Sequence, residues 1–323
     1  MLRSLLLCLL GSAASLFALQ PDAIVALDGS GDYISIEKAI YGADQKRAEP
    51  GGGERWVILV KPGTYRERVI VQRERGNIAL IGEDPETTIL VEGIHANMTG
   101  PDGKKIGTFR TPTLQVDGDG FVVENLTIAN DAGPVGQALA LRVDGDRVVF
   151  RNCRFLGWQD TILVNRGRHY FADSYIEGHV DFIFGGANAV FERTHIHCVG
   201  KGYITAASTP WDQAHGLTFL DCSITGVEDV ETFLGRPWRA HAQTAFVRTE
   251  MSAVVKAAGW HNWGQPEREL TSRYVEIASR GEGANNAARV GWAKTISEAV
   301  GDWTAATILA GDDNWQIPLP VSR

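Results

Sequence analysis

The chain is poor in cysteine, with four in 323 residues. Cys8 lies in an apolar N-terminal segment, which leaves Cys153, Cys198 and Cys222. Three cysteines cannot all pair within one chain, and their spacing matches no small disulfide framework. Cys153 and Cys222 occupy equivalent positions of an internal repeat, so we expect stacked interior thiols rather than a disulfide.

Positive charge is also scarce, since 31 Lys and Arg against 39 Asp and Glu give a formal net charge of -8. Proteins that bind nucleic acid or anionic membranes by electrostatic attraction carry an excess of basic residues. We therefore expect neither as a partner. Pro/Ser-rich linkers and blocks of like charge are absent as well, which predicts a single domain over residues 19–323.

A long apolar run occurs at the N-terminus. Arg3 precedes the apolar residues 5–10, the small residues 11–15 and the polar residues 20–22. This layout is typical of a secretory signal and is too short to span a bilayer as a mature helix. We expect residues 1–18 to be a signal peptide and the mature protein to be secreted or periplasmic, without a membrane anchor.

The chain does contain a degenerate repeat. Five strand-like segments end at Ile128, Phe155, Ile176, Ile196 and Ile224, with spacings of 27, 21, 20 and 28 residues. Short strand-forming segments of this period, broken by Gly and Asn, predict a solenoid of stacked coils. A β-sandwich is the alternative, but it gives no reason for equivalent residues at near-constant spacing.

Both ends of the chain differ from the repeat. The apolar residues Ile34, Ile36, Ala39 and Ile40 fit one short helix that would cap the open end of a solenoid. Beyond residue 260 the repeat decays into polar and small residues with several tryptophans. We expect this C-terminal segment to pack against the side of an all-β solenoid.

Two aspartates follow the repeat at equal distance, because Asp160 lies five residues after Phe155 and Asp181 five residues after Ile176. In register they would stack about one strand spacing, roughly 4.8 Å, apart. Two carboxylates that close rarely ionise together near neutral pH, so one tends to hold a proton and the other a charge. This is the starting condition for a proton donor and a nucleophile.

Two glutamines, Gln137 and Gln159, lie 22 residues apart and can fall on the same face as the aspartates. An ester hydrolase needs a nucleophile, a proton donor for the leaving alkoxide and neutral donors for the oxyanion. The row of side chains supplies all three. A serine esterase is not indicated, because the chain has no Gly-x-Ser-x-Gly motif.

Other functions compete with an esterase. A retaining glycosidase also uses two carboxylates about 5–5.5 Å apart, so spacing alone does not exclude it. A β-helical lyase would need a cluster of acidic Ca²⁺ ligands, and no such cluster accompanies the two aspartates. A non-catalytic carbohydrate-binding solenoid is a third alternative. His195, His197 and Cys198 lack a further ligand at useful spacing, so we interpret them as structural.

Several motifs together resemble the pectinesterases, also called pectin methylesterases. They are Gln-Ala-Leu-Ala-Leu at 137–141, Gln-Asp-Thr at 159–161, Asp-Phe-Ile-Phe-Gly at 181–185 and Leu-Gly-Arg-Pro-Trp at 234–238. The opening residues 25–33, Gly-Thr-Tyr-Arg-Glu at 63–67 and Gly-Trp-His-Asn-Trp at 259–263 match as well. The joint order is specific, and the resemblance covers nearly the whole chain beyond the signal.

The resemblance implies a right-handed parallel β-helix and hydrolysis of the C6 methyl esters of galacturonate units in pectin (homogalacturonan). By the same resemblance Asp181 is the nucleophile, Asp160 the general acid and then base, and Arg236 the cation that fixes and ionises Asp181. Gln137 and Gln159 are the implied oxyanion donors, and the implied sugar contacts are Trp238, Trp260, Phe109 and Val180. No metal or organic cofactor is implied, and we expect a monomer.

Four positions depart from the family pattern: Trp158, Leu163, His179 and Thr194. The first three leave the catalytic set intact and bear on the sugar-binding subsites. Thr194 replaces a cysteine that often partners the one at Cys153, which removes that disulfide.

The acidic balance predicts a substrate preference. We expect faster hydrolysis of highly methylated, nearly neutral pectin than of partly de-esterified, charged chains, because like charges repel at long range. Initial rates of methanol release on the two substrates at low salt measure this, and added salt should narrow the gap. A rate on low-ester pectin equal to or above that on high-ester pectin would contradict the prediction.

Overall fold

The computed structural model describes residues 20–51, 53–298 and 301–321. The expected signal peptide, residues 1–18, lies outside the described residues. Within them, no helix has the length and apolar character needed to cross a membrane.

Strands dominate the described chain. The helices are α1 (Ile36–Gly42), α2 (Gln45–Ala48) and α3 (Ala305–Leu309), with 3₁₀ turns at Arg73–Arg75, Thr108–Arg110, Pro266–Leu270 and Glu282–Ala284. The strands are β1 (Ala23–Val25), β2 (Trp56–Val60), β3 (Gly63–Arg66), β4 (Val69–Val71), β5 (Ile78–Gly82), β6 (Thr88–Glu92), β7 (Leu114–Val116), β8 (Val122–Glu124), β9 (Thr127–Asn130), β10 (Leu141–Val143), β11 (Val148–Arg151), β12 (Arg154–Leu156), β13 (Ile162–Val164), β14 (Arg168–Ala172), β15 (Tyr175–Gly185), β16 (Asn188–Glu192), β17 (His195–Ala207), β18 (Leu217–Leu220), β19 (Ser223–Gly226), β20 (Thr232–Gly235), β21 (Gln243–Val247), β22 (Glu250–Met251), β23 (Arg273–Ile277) and β24 (Lys294–Ile296).

The strands form a parallel β-helix with three faces. Face 1 is an 11-stranded sheet in the order β1-β2-β5-β8-β11-β14-β16-β18-β21-β23-β24. Face 2 runs β3-β6-β9-β12 and continues through the first halves of β15 and β17 to β19 and β22. Face 3 runs β4-β7-β10-β13 and continues through the second halves of β15 and β17 to β20.

The predicted repeat is the register of this helix. Phe155 pairs with Ile128 on one side and Ile176 on the other, and Ile196 continues the row to Ile224. Each repeat turns the corner between faces 1 and 2 at one residue with positive φ. Asn and Asp tolerate this left-handed conformation better than most residues, and the corner residues include Asn125, Asn152, Asp173 and Asp221.

Aromatic rings fill the interior behind face 1. Phe150, Phe171, Phe191, Phe219 and Phe246 form one column, with successive ring centroids 4.5–4.8 Å apart and nearly parallel planes. All five rings are fully buried. The column ties adjacent coils together by apolar contact as well as by backbone hydrogen bonds.

Helix α1 covers the N-terminal end of the solenoid, as predicted. Its apolar side, which includes Ile36 and Ile40, is buried in the main core. Ser35 caps the helix by accepting from the backbone N–H of Lys38, and the Glu67 carboxylate accepts from the N–H of Ile36 at 2.7 Å. A carboxylate at a helix N-terminus is favourable because the first N–H groups lack helical partners.

The C-terminal segment packs on the outer side of face 1, as predicted. Trp303, Trp315 and α3 join an apolar cluster with face 1 side chains such as Tyr170. The Arg168 guanidinium fastens the segment, because it donates to the carbonyl of Ala310 at 3.0 Å and to Asp313.

The three cysteines beyond the signal are buried free thiols, as predicted. Burial raises the pKa values of Cys153, Cys198 and Cys222 to about 12. These thiols therefore stay protonated and behave as small apolar side chains.

The phenylalanine column predicts a stability effect. Replacing Phe171 by Ala removes a ring from the middle of the column, so we expect a loss of about 3–5 kcal/mol. The midpoint of urea unfolding measures this. Phe109→Ala is the control, because that ring is 48% exposed and its loss should leave the midpoint nearly unchanged. Equal unfolding midpoints for the two variants would contradict a contribution of the phenylalanine column to stability.

Candidate active site

The two candidate aspartates lie on face 3, in adjacent coils. Ile162 pairs with Ile183, which aligns Asp160 with Asp181, and the Asp160 N–H donates to the carbonyl of Val180 at 3.0 Å. Both aspartates have positive φ, 65° and 51°. The pairing of β15 with β17 also shifts register on both sides of Val180. Irregular backbone of this kind changes the direction of side chains and is common at active sites.

The glutamines extend the row by one coil. Gln137 and Gln159 form a parallel bridge, and the N–H of Ala138 donates to the carbonyl of Gln159 at 3.1 Å. Both glutamine side chains are partly exposed. The structure therefore brings Gln137, Gln159, Asp160 and Asp181 together in three successive coils.

Burial and charge separate the two carboxyl groups. Asp160 and Asp181 are 8% and 7% exposed. Burial, and then the neighbouring charge of Asp181, raise the pKa of Asp160 well above its ordinary value, against smaller effects of Arg236 and a Gln159 hydrogen bond. The proton of the pair is accordingly assigned to Asp160.

Asp181 is held by a bidentate ion pair with Arg236. The guanidinium Nε and Nη2 donate to its two carboxylate oxygens at 2.9 Å and 2.6 Å. Burial raises the pKa of Asp181, and the hydrogen bonds and charge of Arg236 lower it without fully offsetting burial. Arg236 therefore acts on this pKa in the direction expected of the cation that ionises Asp181, although burial has the larger effect. Of the pair, Asp181 is the group that carries the charge.

The row opens into a cleft of about 370 Å³. Its lining combines the catalytic candidates with apolar side chains: Thr108, Phe109, Gln137, Gln159, Asp160, Asp181, Phe184, Ala206, Arg236, Trp238 and Trp263. Trp238 lies between Phe109 and Phe184, with ring centroids 6.5 Å and 5.7 Å away. One wall of the cleft is therefore aromatic, and its row of polar groups lies beside that wall.

The predicted sugar contacts have different positions. Phe109 and Trp238 line the cleft, whereas Val180 is partly exposed beside Asp181 and is not among the lining residues. Trp260 is 1% exposed, so its prediction as a sugar-facing residue is wrong. Its ring packs on Tyr274 at a centroid distance of 4.3 Å, and its Nε1 donates to Glu276 at 3.0 Å.

Two aromatic residues of the site were missed. Trp263, three residues after Trp260, lines the cleft, and Tyr203 lies beside Val180 in the next coil. Both rings contact the guanidinium of Arg236. The motif containing Trp263 was visible in the sequence, but its second tryptophan has positive φ, 63°, which no pattern of alternation predicts.

The departures from the family pattern lie around the cleft. Leu163 is buried under Phe184 and Ala206, in a small cluster that Trp238 and Trp263 cover. Trp158 and His179 contact edge to face at 5.6 Å. Leu163 thus supports the aromatic side chains of the cleft from beneath, whereas Trp158 and His179 are not among the lining residues.

The histidines considered for a metal share a hydroxyl. His195 and His197 lie 2.7 Å and 2.8 Å from the Oγ1 of Thr225, and His195 packs on Tyr175. Among residues 20–51, 53–298 and 301–321, no group of three His, Cys, Asp or Glu side chains could hold a metal ion. This cluster is on face 2, away from the cleft.

Fold and site together define a carboxylic ester hydrolase built on a parallel β-helix, and comparison with known proteins gives the family. The Pectinesterase family model matches residues 22–312. Pectinesterase 31 of Arabidopsis thaliana is 39% identical over 281 residues, covering 85% of this chain and 87% of that protein.

Solved structures agree with this assignment. Pectin methylesterase from carrot has a TM-score of 0.80 at 32% identity, over 86% of this chain and 89% of that chain. Pectin methylesterase PemA from Erwinia chrysanthemi has a TM-score of 0.78 at 29% identity, over 94% and 100%. The fold is thus the predicted right-handed parallel β-helix. The chain belongs to the pectinesterase family, and it is an enzyme that demethylesterifies pectin.

The two tryptophans of the late motif predict opposite phenotypes. Trp260→Ala empties a buried site and leaves Glu276 without that donor, so we expect about 3–5 kcal/mol of destabilisation. Trp263→Ala should leave the unfolding midpoint nearly unchanged and lower the rate of methanol release from pectin. Urea unfolding and initial rates for both variants test this. A loss of stability in Trp263→Ala without loss of rate would show that the roles are reversed.

Proposed function

We propose that Asp181 is the nucleophile of this pectinesterase and Asp160 its general acid and then base. The observation that carries the proposal is the pair itself, in which two adjacent buried carboxyl groups differ in environment. Arg236 contacts both oxygens of Asp181. Asp160 is buried beside the negative charge of Asp181. This difference in environment supports a charged Asp181 and a protonated Asp160.

The first half of the reaction forms an acyl-enzyme. A carboxylate oxygen of Asp181 attacks the C6 carbonyl carbon of a methylated galacturonate, and the carbonyl oxygen becomes an oxyanion. The intermediate then collapses as the C–O bond to the methoxy group breaks. Asp160 gives its proton to the departing oxygen, so methanol leaves and C6 remains joined to Asp181 as an anhydride.

The second half releases the acid. Asp160, now ionised, takes a proton from a water molecule whose oxygen attacks C6. The bond between C6 and Asp181 breaks, which restores the Asp181 carboxylate, its ion pair with Arg236 and the protonated Asp160. The product is a galacturonic acid unit whose free C6 carboxyl group ionises in water.

The amide groups of Gln137 and Gln159 are the proposed oxyanion donors. They are neutral, they lie in the cleft beside Asp160, and their bridge fixes them in adjacent coils. Neutral donors suit this role because they stabilise charge that develops in the transition state. The loss of one such donor typically costs about 10²–10³ in rate.

The proposed pH dependence follows from the active protonation state, Asp181 ionised and Asp160 protonated. The activity falls as the pH drops through the pKa of Asp181, because the nucleophile becomes protonated. It also falls as the pH rises through the raised pKa of Asp160, because the acid loses its proton. Two limbs of the profile therefore report two different residues.

Methylated homogalacturonan is the proposed polymer, with Phe109 and Trp238 as ring contacts and Val180 at the side of the site. A pectin methylesterase solved in complex with a hexasaccharide is 28% identical and has a TM-score of 0.77, which supports an extended sugar chain in this cleft. We further propose a secreted or periplasmic monomer with residues 1–18 as its signal, and residues 19–323 as one domain.

The nucleophile is tested by Asp181→Asn in the purified protein. Because an amide cannot attack the ester, we expect methanol release from highly methylated pectin to fall by roughly 10³-fold or more. Asp173→Asn is the matched control. Asp173 has the same φ of 51° but is an exposed corner residue paired with Arg193, so its rate should be unchanged.

Reducing ends and unsaturated products are assayed in the same samples. Methanol release that survives in Asp181→Asn at the wild-type rate would refute the nucleophile assignment. Chain cleavage that depends on Asp160 and Asp181 would instead support one of the rival polysaccharide reactions.

A further inference from the structure

We propose that Tyr203 and Trp263 are positioning residues that hold the Arg236 guanidinium in the orientation its pair with Asp181 requires. The inference rests on the proposed function, because it assigns a role to the groups around the proposed nucleophile. Neither ring needs to touch the reacting atoms for this role.

The guanidinium is enclosed between two aromatic rings. Its central carbon lies 3.8 Å from the ring centroid of Tyr203 and 3.6 Å from that of Trp263. Two rings cannot both lie this near one carbon atom on the same side without overlapping, so they contact it from different sides. The rings thus cover the flat faces of the guanidinium and leave its edge, where all the N–H groups lie, for hydrogen bonds.

The edge is where Asp181 binds. Nε and Nη2 donate to the two carboxylate oxygens in the parallel geometry typical of a bidentate pair. A long arginine side chain that is free to rotate would lose this coplanar arrangement in many of its rotamers. The two rings restrict that rotation, so the pair is formed before the substrate binds.

The stack continues behind Tyr203. Phe233 lies parallel to the Tyr203 ring at 5.4 Å and 11°, and the Nζ of Lys256 lies 4.7 Å from the centroid of Phe233. His261 packs at a tilt against both rings, at 5.5 Å and 5.3 Å. Tyr203 therefore has little room to turn away from Arg236.

Other charged or titratable groups surround the ion pair. They are Asp160 from the preceding coil, His179 on the strand of Asp181, His261 and Lys256 beyond the rings, and Arg268 and Tyr274 behind the cleft. Tyr203→Leu keeps all these residues in the chain, and of them only His261 contacts the Tyr203 ring.

The test is the pH profile of kcat for Tyr203→Leu. If Arg236 loses its alignment, it lowers the pKa of Asp181 less, so the acid limb of the profile should move to higher pH. We expect kcat at the optimum to fall about tenfold, an effect in the range of a lost cation–π contact in a desolvated site, and KM to change little. Tyr203→Phe keeps the ring and should restore both values.

A matched pair elsewhere serves as the control. Tyr175 stacks on the guanidinium of Arg154 at 5.6 Å on face 2, so Tyr175→Leu removes a similar contact away from the cleft. It should leave the acid limb in place. A purely structural role of Tyr203 would lower kcat at every pH without moving that limb, and this result would overturn the inference.

The outcome separates this inference from the proposed function. Arg236→Gln should abolish most activity if the proposed nucleophile depends on its cation. Loss of activity in Arg236→Gln with an unmoved limb in Tyr203→Leu refutes the positioning role alone. Full activity in Arg236→Gln refutes both.

Discussion

The parallel hydrogen-bond ladder between successive coils is the constraint on which the whole structure depends. It fixes equivalent residues one strand spacing apart along the helix axis, whatever the length of the loops between them. The spacings of 27, 21, 20 and 28 residues in the sequence become one continuous row in the structure. The same ladder stacks phenylalanines in the interior and polar groups on face 3, so stability and chemistry share one register.

That register also creates an electrostatic problem at the site. Ionising two buried carboxyl groups in adjacent coils is unfavourable, because both are desolvated and their charges repel. The Arg236 guanidinium, which reaches back from the coil of β20, compensates the charge of Asp181. Because Arg236 contacts the carboxylate of Asp181 and not that of Asp160, the two groups favour different protonation states. An acid and a nucleophile require this difference.

Much of this could be predicted from the sequence, because the information is periodic. The equal offsets of Asp160 and Asp181 from Phe155 and Ile176 located the pair correctly, and the capping helix followed from apolar spacing. What failed depended on three-dimensional packing. Burial of Trp260 rather than Trp263 is decided by how the last coils close.

One further property of the site lies outside any periodic pattern. In a regular strand, neighbouring side chains point to opposite sides, yet Gln159 and Asp160 both line the cleft. The left-handed conformation of Asp160, with φ of 65°, breaks the alternation and brings the proposed oxyanion donor and the proposed acid to one side. Asp181 has the same left-handed conformation, with φ of 51°, and lies where the register of β15 against β17 shifts. The regular ladder supplies the spacing between coils, and its two local breaks supply the direction of the side chains, so catalysis requires both.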